Sequence, residues 1–365
     1  MDWQELVRPE VARMQGYNPG PPLEELKARL GLERLDELGT NENAWGPSPR
    51  VREALERKMT RLSRYPDASC LELRRALARR DGLEVDQVLV GNGADDLLAL
   101  IGLAFLRPGE RAVMAGLTFP IYRKVVAMMG GRPVEVPLDA DYRHDPEAMR
   151  AALEPGTRMV FVCNPNNPTA TAVQAGRLEA LVRHMPPGCL AVLDLVYQDF
   201  ARPEFRLDGA ALVREGLPVI VLGSFSKLYG LAGLRIGYAL APAPLVEALG
   251  KLRQPFSVNR LAQAAALAAL EDDVYRQDVL ERTRRGKEQL AQGFARLGLS
   301  HTDSQTNFFM VELGRQADPV CQELLRRGVM IRSLAVWGAP TCARVTVGTE
   351  DENRHLLAAL EEALS

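Results

Sequence analysis

The residue best suited to covalent chemistry is Lys227, in the stretch "SFSKLYGLAGLRIGY" that spans residues 224–238. Lysines usually lay their stems along apolar surface and keep their ammonium groups in water. This one has Ser226 before it, Leu228 after it, and Gly230, Gly233, Arg235 and Gly237 downstream. A lysine partly desolvated near other cations has a lowered pKa and becomes a nucleophile. Three other clusters could serve it. Asp194 lies inside the apolar run "VLDLVYQDF" (192–200), where a carboxylate is costly unless it is paired. It is either a structural cap or ion pair, or the counter-ion of a buried cation. "CNPNNPTA" (163–170) holds two Asn-Pro pairs, which force turn or extended geometry and leave asparagine side chains to point at a ligand. "GNGADD" (91–96) reads as a glycine turn opening a helix, whose free N–H groups and positive dipole end suit a phosphate. A plain strand-to-helix turn is the alternative reading of that segment.

Together these parts suit pyridoxal phosphate (PLP), whose aldehyde is held by a lysine Schiff base and whose pyridine nitrogen is partnered by an acidic residue. The glycine turn would take the phosphate, asparagine the ring hydroxyl, Asp194 the ring nitrogen and Lys227 the aldehyde. The serines and Arg235 would add to the phosphate site, and the glycines would let backbone approach the cofactor.

These residues need a scaffold. From about residue 50, apolar runs such as "QVLVGNG", "RAVMAG", "RMVFVCN", "LAVLDLVY" and "PVIVLGS" alternate with helical patterns such as "ADDLLALIGLAFLRPG" and "AGRLEALVRHMPPG". Alternation of this kind implies an α/β architecture with a mostly parallel sheet covered on both faces. Ligands of such sheets sit at the carboxyl ends of the strands, where all the clusters fall. After about residue 241 the texture changes to long helices and a few late strands, a smaller α+β lobe. The expected division is an arm and part of the small domain over 1–35, a large cofactor-binding domain over 36–255, and a small domain over 256–365.

Bulk composition fits this reading. The chain has 365 residues, enough for two domains, and 47% hydrophobic residues support a sizeable core. A net charge of −2 gives no reason to expect nucleic acid or an anionic membrane as a partner. Only six of the 45 basic residues are lysines, which makes an apolar-flanked one stand out. The five cysteines are scattered without a CxxC, so neither a disulfide framework nor a metal site is expected. The opening "MDWQELVRPE" lacks the apolar core of a secretory leader, and no run is apolar enough to span a bilayer. A cytoplasmic location is the expectation.

The chain resembles the fold-type I PLP-dependent aminotransferases, and within them the histidinol-phosphate branch, nearly from end to end. The carriers are "YNPGPPLEEL", "TNENAWGPSP", "RYPD", "GNGADDLL", "CNPNNPTA", "DLVY", "SFSKLYGLAGLRIGY" and "ARVTVGTEDEN". The resemblance implies a large domain with a mixed, mostly parallel sheet between helices, plus a smaller α+β domain. It also implies roles. Gly93, Ala94 and Asp95 would give the helix N-terminus under the phosphate, and Ser224, Ser226 and Arg235 would complete the cup. Tyr65 would reach the phosphate from the neighbouring subunit of a homodimer with shared sites. Phe119 would stack on the pyridine ring, Asn167 and Tyr197 would bond its oxygen, and Asp194 would keep its nitrogen protonated. Lys227 would carry the Schiff base. Arg344, with Arg332, would take the anionic end of small amino and keto acid substrates, and Tyr17 and Asn43 would add to that site. The implied reaction moves an amino group from histidinol phosphate to 2-oxoglutarate, giving imidazole acetol phosphate and glutamate, a step of histidine biosynthesis. The family usually has NENP, NPTG and DEAY where this chain reads Asn43-Ala44, Thr169-Ala170 and Asp194-Leu195-Val196-Tyr197. No cofactor contact is lost by these departures.

Four alternatives remain at this stage. An aromatic amino acid aminotransferase and a phosphothreonine-type decarboxylase would use the same scaffold and the same Arg344. A nicotinamide dehydrogenase is suggested by "VGNGADD", but Asp96 stands where the third glycine of GxGxxG belongs. A PLP-binding regulator would need a DNA-binding module, for which the arm before residue 36 is too short.

Overall fold

The protein is described by a computed structural model covering residues 6–14, 16 and 21–365. Its centre is a seven-stranded sheet. Across it the strands run Val88–Gly91, Gly237–Leu240, Val219–Ser224, Leu190–Asp194, Thr157–Cys163, Arg111–Ala115 and Arg132–Val136. All pairings are parallel except the two made by Gly237–Leu240, which is antiparallel to both neighbours. Successive side chains of a strand point to opposite faces, and the sequence supplies apolar residues at both. Val88, Val90, Val160 and Val162 enter one core, with the helices Pro49–Met59, Leu71–Asp81, Ala175–Arg183 and Arg260–Leu270. Leu89, Met159 and Phe161 enter the other, with the helices Ala94–Phe105, Ile121–Met128 and Ala243–Leu252. The ends of these helices are specified locally. The Ser48 side chain accepts from Val51 N, and Asn259 accepts from Ala262 N, each satisfying an amide that has no partner within its helix.

The smaller lobe is an antiparallel sheet in the order Arg332–Ser333, Cys342–Thr346, Phe308–Glu312, Ser300–His301. The helices Ala317–Arg326 and Glu350–Leu364 cover it, and Val320, Leu324, Leu356 and Leu360 share its core. The last helix starts on a reciprocal capping box between Thr349 and Glu352. The segment Asp36–Glu37, taken in the sequence as the start of the large domain, pairs in parallel with Val329–Met330 of the small lobe. The helix Asp273–Arg296 ties the lobes together. Its Val279 packs into the large-lobe core, and its Leu290 and Phe294 pack into the small one. The cores therefore divide inside this helix, downstream of residue 255. The reason is the helix Arg260–Leu270, whose small Ala262, Ala265, Ala266 and Ala269 let it lie close against the large lobe.

All five cysteines are free thiols. Among the described residues, no helix is long and apolar enough to cross a membrane, and no group of three or more His, Cys, Asp and Glu is arranged to hold a metal ion.

Candidate active site

Lys227 follows the Val219–Ser224 strand on a loop pinned by fully buried Phe225, whose N–H bonds Ile236 O and whose carbonyl accepts from Leu231 N. Gly230 is required there. It has φ +67°, and a Cβ on it would come within 2.5 Å of Gly46 O, so the segment around residues 40–47 lies directly on the lysine loop. That segment supplies the partner of Lys227, whose Nζ donates to Thr40 O at 3.2 Å. Desolvation, with the nearby Arg344 and Arg235 charges opposing protonation, lowers the pKa of this amine to about 8. A fraction is therefore unprotonated near neutral pH, as a nucleophile and proton carrier requires.

Asp194 ends the Leu190–Asp194 strand and is 3% exposed. Burial pushes its carboxyl up to about 6, against the opposing effect of hydrogen bonds from Tyr122 and Val196 N. The Tyr122 hydroxyl donates to Oδ2 at 2.6 Å, and Val196 N donates to Oδ1 at 3.3 Å. A buried carboxylate this costly is suited to a ligand that brings a positive charge. Tyr197 is also buried, and its hydroxyl accepts from Asn41 Nδ2 at 3.0 Å, leaving its own proton to donate.

The candidate phosphate site is built from close approaches. Gly93, at φ +89°, precedes the helix Ala94–Phe105, and a Cβ there would meet Arg235 Nη2 at 2.6 Å. The guanidinium thus lies over the helix N-terminus, held by Ala232 O at 3.2 Å and by Asp95 at 3.9 Å. A Cβ on Gly237 would meet Ala94 N at 2.9 Å, so the strand backbone closes the other side. The Ser224 hydroxyl accepts from Ser226 N at 3.0 Å. Helix N-terminal amides, the Ser224 hydroxyl and an arginine brought this close together are groups suited to a phosphate dianion.

A second cluster of charge sits on the small lobe. Arg344 is 6% exposed; its Nη1 donates to Asn167 Oδ1 at 2.6 Å and its Nη2 to Gly39 O at 2.5 Å. Arg332 is register-paired with Arg344 on neighbouring antiparallel strands, so both side chains project from the same face. The charges of both act on Glu37, countering the burial that raises its carboxyl pKa.

Lys227, Tyr197 and Arg344 are thus linked through the 39–41 segment, Asn167 joins them through Arg344, and the Lys227 charge acts on Asp194. Phe119 sits beside this group, its ring edge-on to Tyr122 at 5.6 Å between centroids. Asn43 lies at the site, but both ends of its amide bind backbone, Nδ2 to Leu228 O at 2.9 Å and Oδ1 to Trp45 N at 3.0 Å. It tethers the segment to the residue after the lysine. Tyr65 is apart from this chain's site, 77% exposed and stacked on Phe256 at 4.5 Å. Tyr17 lies outside the described residues. Sequence reasoning missed Tyr122, Asn41 and the carbonyls of Gly39 and Thr40. Asn41 had a signal, being a second asparagine in "TNEN", and takes a left-handed φ of 57°. Tyr122 had none beyond its place on the inner face of a helix. Ala170, where the family pattern has glycine, adopts φ 63° while fully buried, a strained conformation for a residue with a Cβ.

Comparison with known proteins shows the family. The family model for aminotransferase class I and II matches residues 35–360. The histidinol-phosphate aminotransferase of Moorella thermoacetica is 40% identical over 359 residues, covering 98% of this chain and 93% of that one. Histidinol-phosphate aminotransferase 2 of Pseudomonas aeruginosa is 42% identical over 370 residues, covering 100% and 99%. The crystal structure of histidinol-phosphate aminotransferase from Sinorhizobium meliloti in complex with pyridoxal-5'-phosphate superposes with a TM-score of 0.91 at 31% identity, covering 98% and 97%. A Thermus thermophilus aspartate aminotransferase double mutant gives 0.83 at 25% identity, covering 98% and 99%.

Proposed function

The chain belongs to the class I and II aminotransferases, and from that premise we propose that it transfers the amino group of histidinol phosphate to 2-oxoglutarate. The cofactor is pyridoxal 5'-phosphate, and the observation that carries the reading is the charge pattern of the cleft. A desolvated amine at Lys227 and a desolvated carboxyl at Asp194 flank a phosphate cup, with Arg344 facing them from the other lobe. The residues fit the cofactor because each costly group matches one of its parts. Gly93, Ala94, Asp95, Ser224, Ser226 and Arg235 would hold its phosphate, Phe119 would stack on its ring, Asn167 and Tyr197 would bond its ring oxygen, and Asp194 would take its ring nitrogen. When bound it supplies an electron sink for cleavage of the bond between the substrate's amine-bearing carbon and its hydrogen.

The chain's own residues do the rest. The Lys227 amine, with a pKa near 8, would take the proton from that carbon and deliver it to the cofactor carbon on the other side of the amino nitrogen, base and then acid at the same lysine nitrogen. Asp194, ionised against a cation, would hold the proton on the ring nitrogen. Arg344, joined by Arg332 on the same face, grips the anionic end of either substrate, since a planar guanidinium suits both a phosphate monoester and a carboxylate. Tyr17 adds a hydroxyl to the phosphate of the amino donor. The site is completed by a second copy of the chain. Tyr65, with exposed Leu62 and Met59 nearby in sequence and Phe256 beneath its ring, forms an apolar surface suited to a two-fold partner. Named histidinol-phosphate aminotransferases at 40% identity over nearly the whole chain support the substrate choice.

The test is the half-reaction of the purified holoenzyme, followed by absorbance, with histidinol phosphate, glutamate and phenylalanine in turn. Histidinol phosphate and glutamate should both convert the cofactor, and a Tyr17→Phe variant should weaken the first more than the second. Much faster conversion by phenylalanine would leave only the aminotransferase class. Sedimentation at micromolar concentration should give a dimer.

A further inference from the structure

One aromatic of the cleft has no role in the scheme above. Trp337 lies on the short helical turn Ala335–Trp337 between the strands that carry Arg332 and Arg344. Its ring centroid is 5.5 Å from Arg344 Cζ, and the ring of Phe308 is at the same 5.5 Å. Two hydrogen bonds fix the ends of the guanidinium, to Asn167 and to Gly39 O. The two rings hold its body, since a cation is attracted to an aromatic face and more so where water is excluded. Phe308 is fully buried, whereas Trp337 is half-buried at the seam of the lobes. Trp337 packs in one cluster with Met310, Leu334 and Cys342 of the small lobe and Leu117 of the large one. It also lines a cavity that opens toward Thr118, Phe119 and Pro120. Leu117 O in turn accepts from Asn166 Nδ2 at 2.9 Å, next to the Asn167 that binds Arg344. The tryptophan therefore covers Arg344 from the side where the lobes meet and rests on the chain that orients its partner.

We propose that Trp337 is a positioning residue for substrate anions. Its ring holds the Arg344 guanidinium in plane and dry, and so sets the affinity for the carboxylate or phosphate end of both substrates without entering proton transfer. This rests on the reading of Arg344 as the anion receptor.

The experiment uses the holoenzyme and maleate, a dicarboxylate with no amino or keto group to react. Calorimetry gives its Kd, and steady-state kinetics give kcat and KM for glutamate and histidinol phosphate. Trp337→Leu should weaken maleate and raise both KM values by about tenfold, the size of a desolvated cation–aromatic contact, with kcat within about threefold. Trp337→Phe, which keeps an aromatic face, should recover most of the loss, and Val336→Ala, an exposed neighbour, should change neither. Should the leucine variant fail to fold, Trp337→Met is read for the same tenfold change. Unchanged maleate binding, or a kcat that falls as far as KM rises, would overturn the proposal. Poor turnover of histidinol phosphate by the wild type with maleate binding still lost in Trp337→Leu would remove the substrate assignment and leave this inference standing.

Discussion

The two ends of the cleft are stabilised in opposite ways. At the large-lobe end, Lys227 and Asp194 are each pushed away from their charged forms by burial, to about 8 and about 6. At the small-lobe end, Arg344 is also buried but bonds Asn167 and Gly39 O and lies within 5.5 Å of two aromatic ring centroids. The large-lobe end carries two charges that burial disfavours, whereas the small-lobe guanidinium already has hydrogen-bond partners. Groups that must change protonation need a small gap between their two states. A group that must only recognise an anion is best preorganised, so that binding loses little freedom.

The largest effect should come from removing the proton carrier. Lys227→Ala should lower turnover by about 10⁴-fold or more, because it deletes both nucleophilic and acid–base roles. The variant should still hold the cofactor through the Gly93–Arg235 cup, which dialysis and absorbance would check. Activity near wild type would end the assignment. Next, Arg344→Ala should lower kcat/KM by at least about tenfold for the amino donor and the keto acceptor alike, since each charge-assisted bond contributes roughly 1.5–3 kcal/mol. Loss for one substrate alone would break the idea of a single shared anion site.

The comparison also predicts opposite signs in the stability of the cofactor-free protein. Lys227→Met should raise Tm at pH 7, while Arg344→Met should lower it by a few degrees because it strands Asn167 Oδ1 and Gly39 O inside the fold. The pH dependence follows from the shifts. Lys227 has a lowered folded pKa, so its penalty is fully present below about 8 and fades as pH rises toward its ordinary 10.5. The gain from Lys227→Met should vanish over that window. Asp194 has a raised folded pKa, so its penalty is absent below its ordinary 3.8 and complete above about 6. Thermal melts from pH 4 to 10 separate the two, and equal curves for wild type and Lys227→Met would contradict the shift.

The contrast explains what the sequence could reveal. The residues expected to hold a phosphate fall in two short segments, Gly93 to Asp95 in one turn and Ser224 to Arg235 in one loop, so they can be named from spacing alone. Alternating apolar strands likewise made the parallel sheet legible, because burial on both faces leaves few polar positions. The anion end is spread over Gly39, Asn167, Phe308, Trp337 and Arg344, joined by backbone carbonyls and aromatic faces that carry no motif. Asn43 was nameable from its segment but not its actual work, since an asparagine that binds backbone and one that binds substrate look alike in sequence. The division of the cores inside the helix Asp273–Arg296 escaped for a similar reason. A continuous helical pattern gives no mark where its buried face changes partner.

The smallest predicted effect sharpens the comparison most, because it concerns how far the catalytic end is tuned rather than merely buried. Tyr122 donates to Asp194 Oδ2 at 2.6 Å, and this bond favours the ionised carboxylate against desolvation. Tyr122→Phe removes the hydroxyl but keeps the ring that stacks on Phe161 at 5.1 Å and meets Phe119 edge-on. A hydrogen bond to a charged group is worth about 1.5–3 kcal/mol, so the Asp194 pKa should rise by about a unit or more in the cofactor-free protein. In the holoenzyme, where a cation faces the carboxylate, the change at pH 8 should be less than about threefold in kcat, because the group remains ionised there. At pH 6 the loss should grow, and the acid limb of the kcat/KM profile should move to higher pH. A uniform loss across pH would assign Tyr122 to packing alone. An acid limb that moves while the activity at pH 8 holds would make it the residue that keeps a costly carboxylate charged.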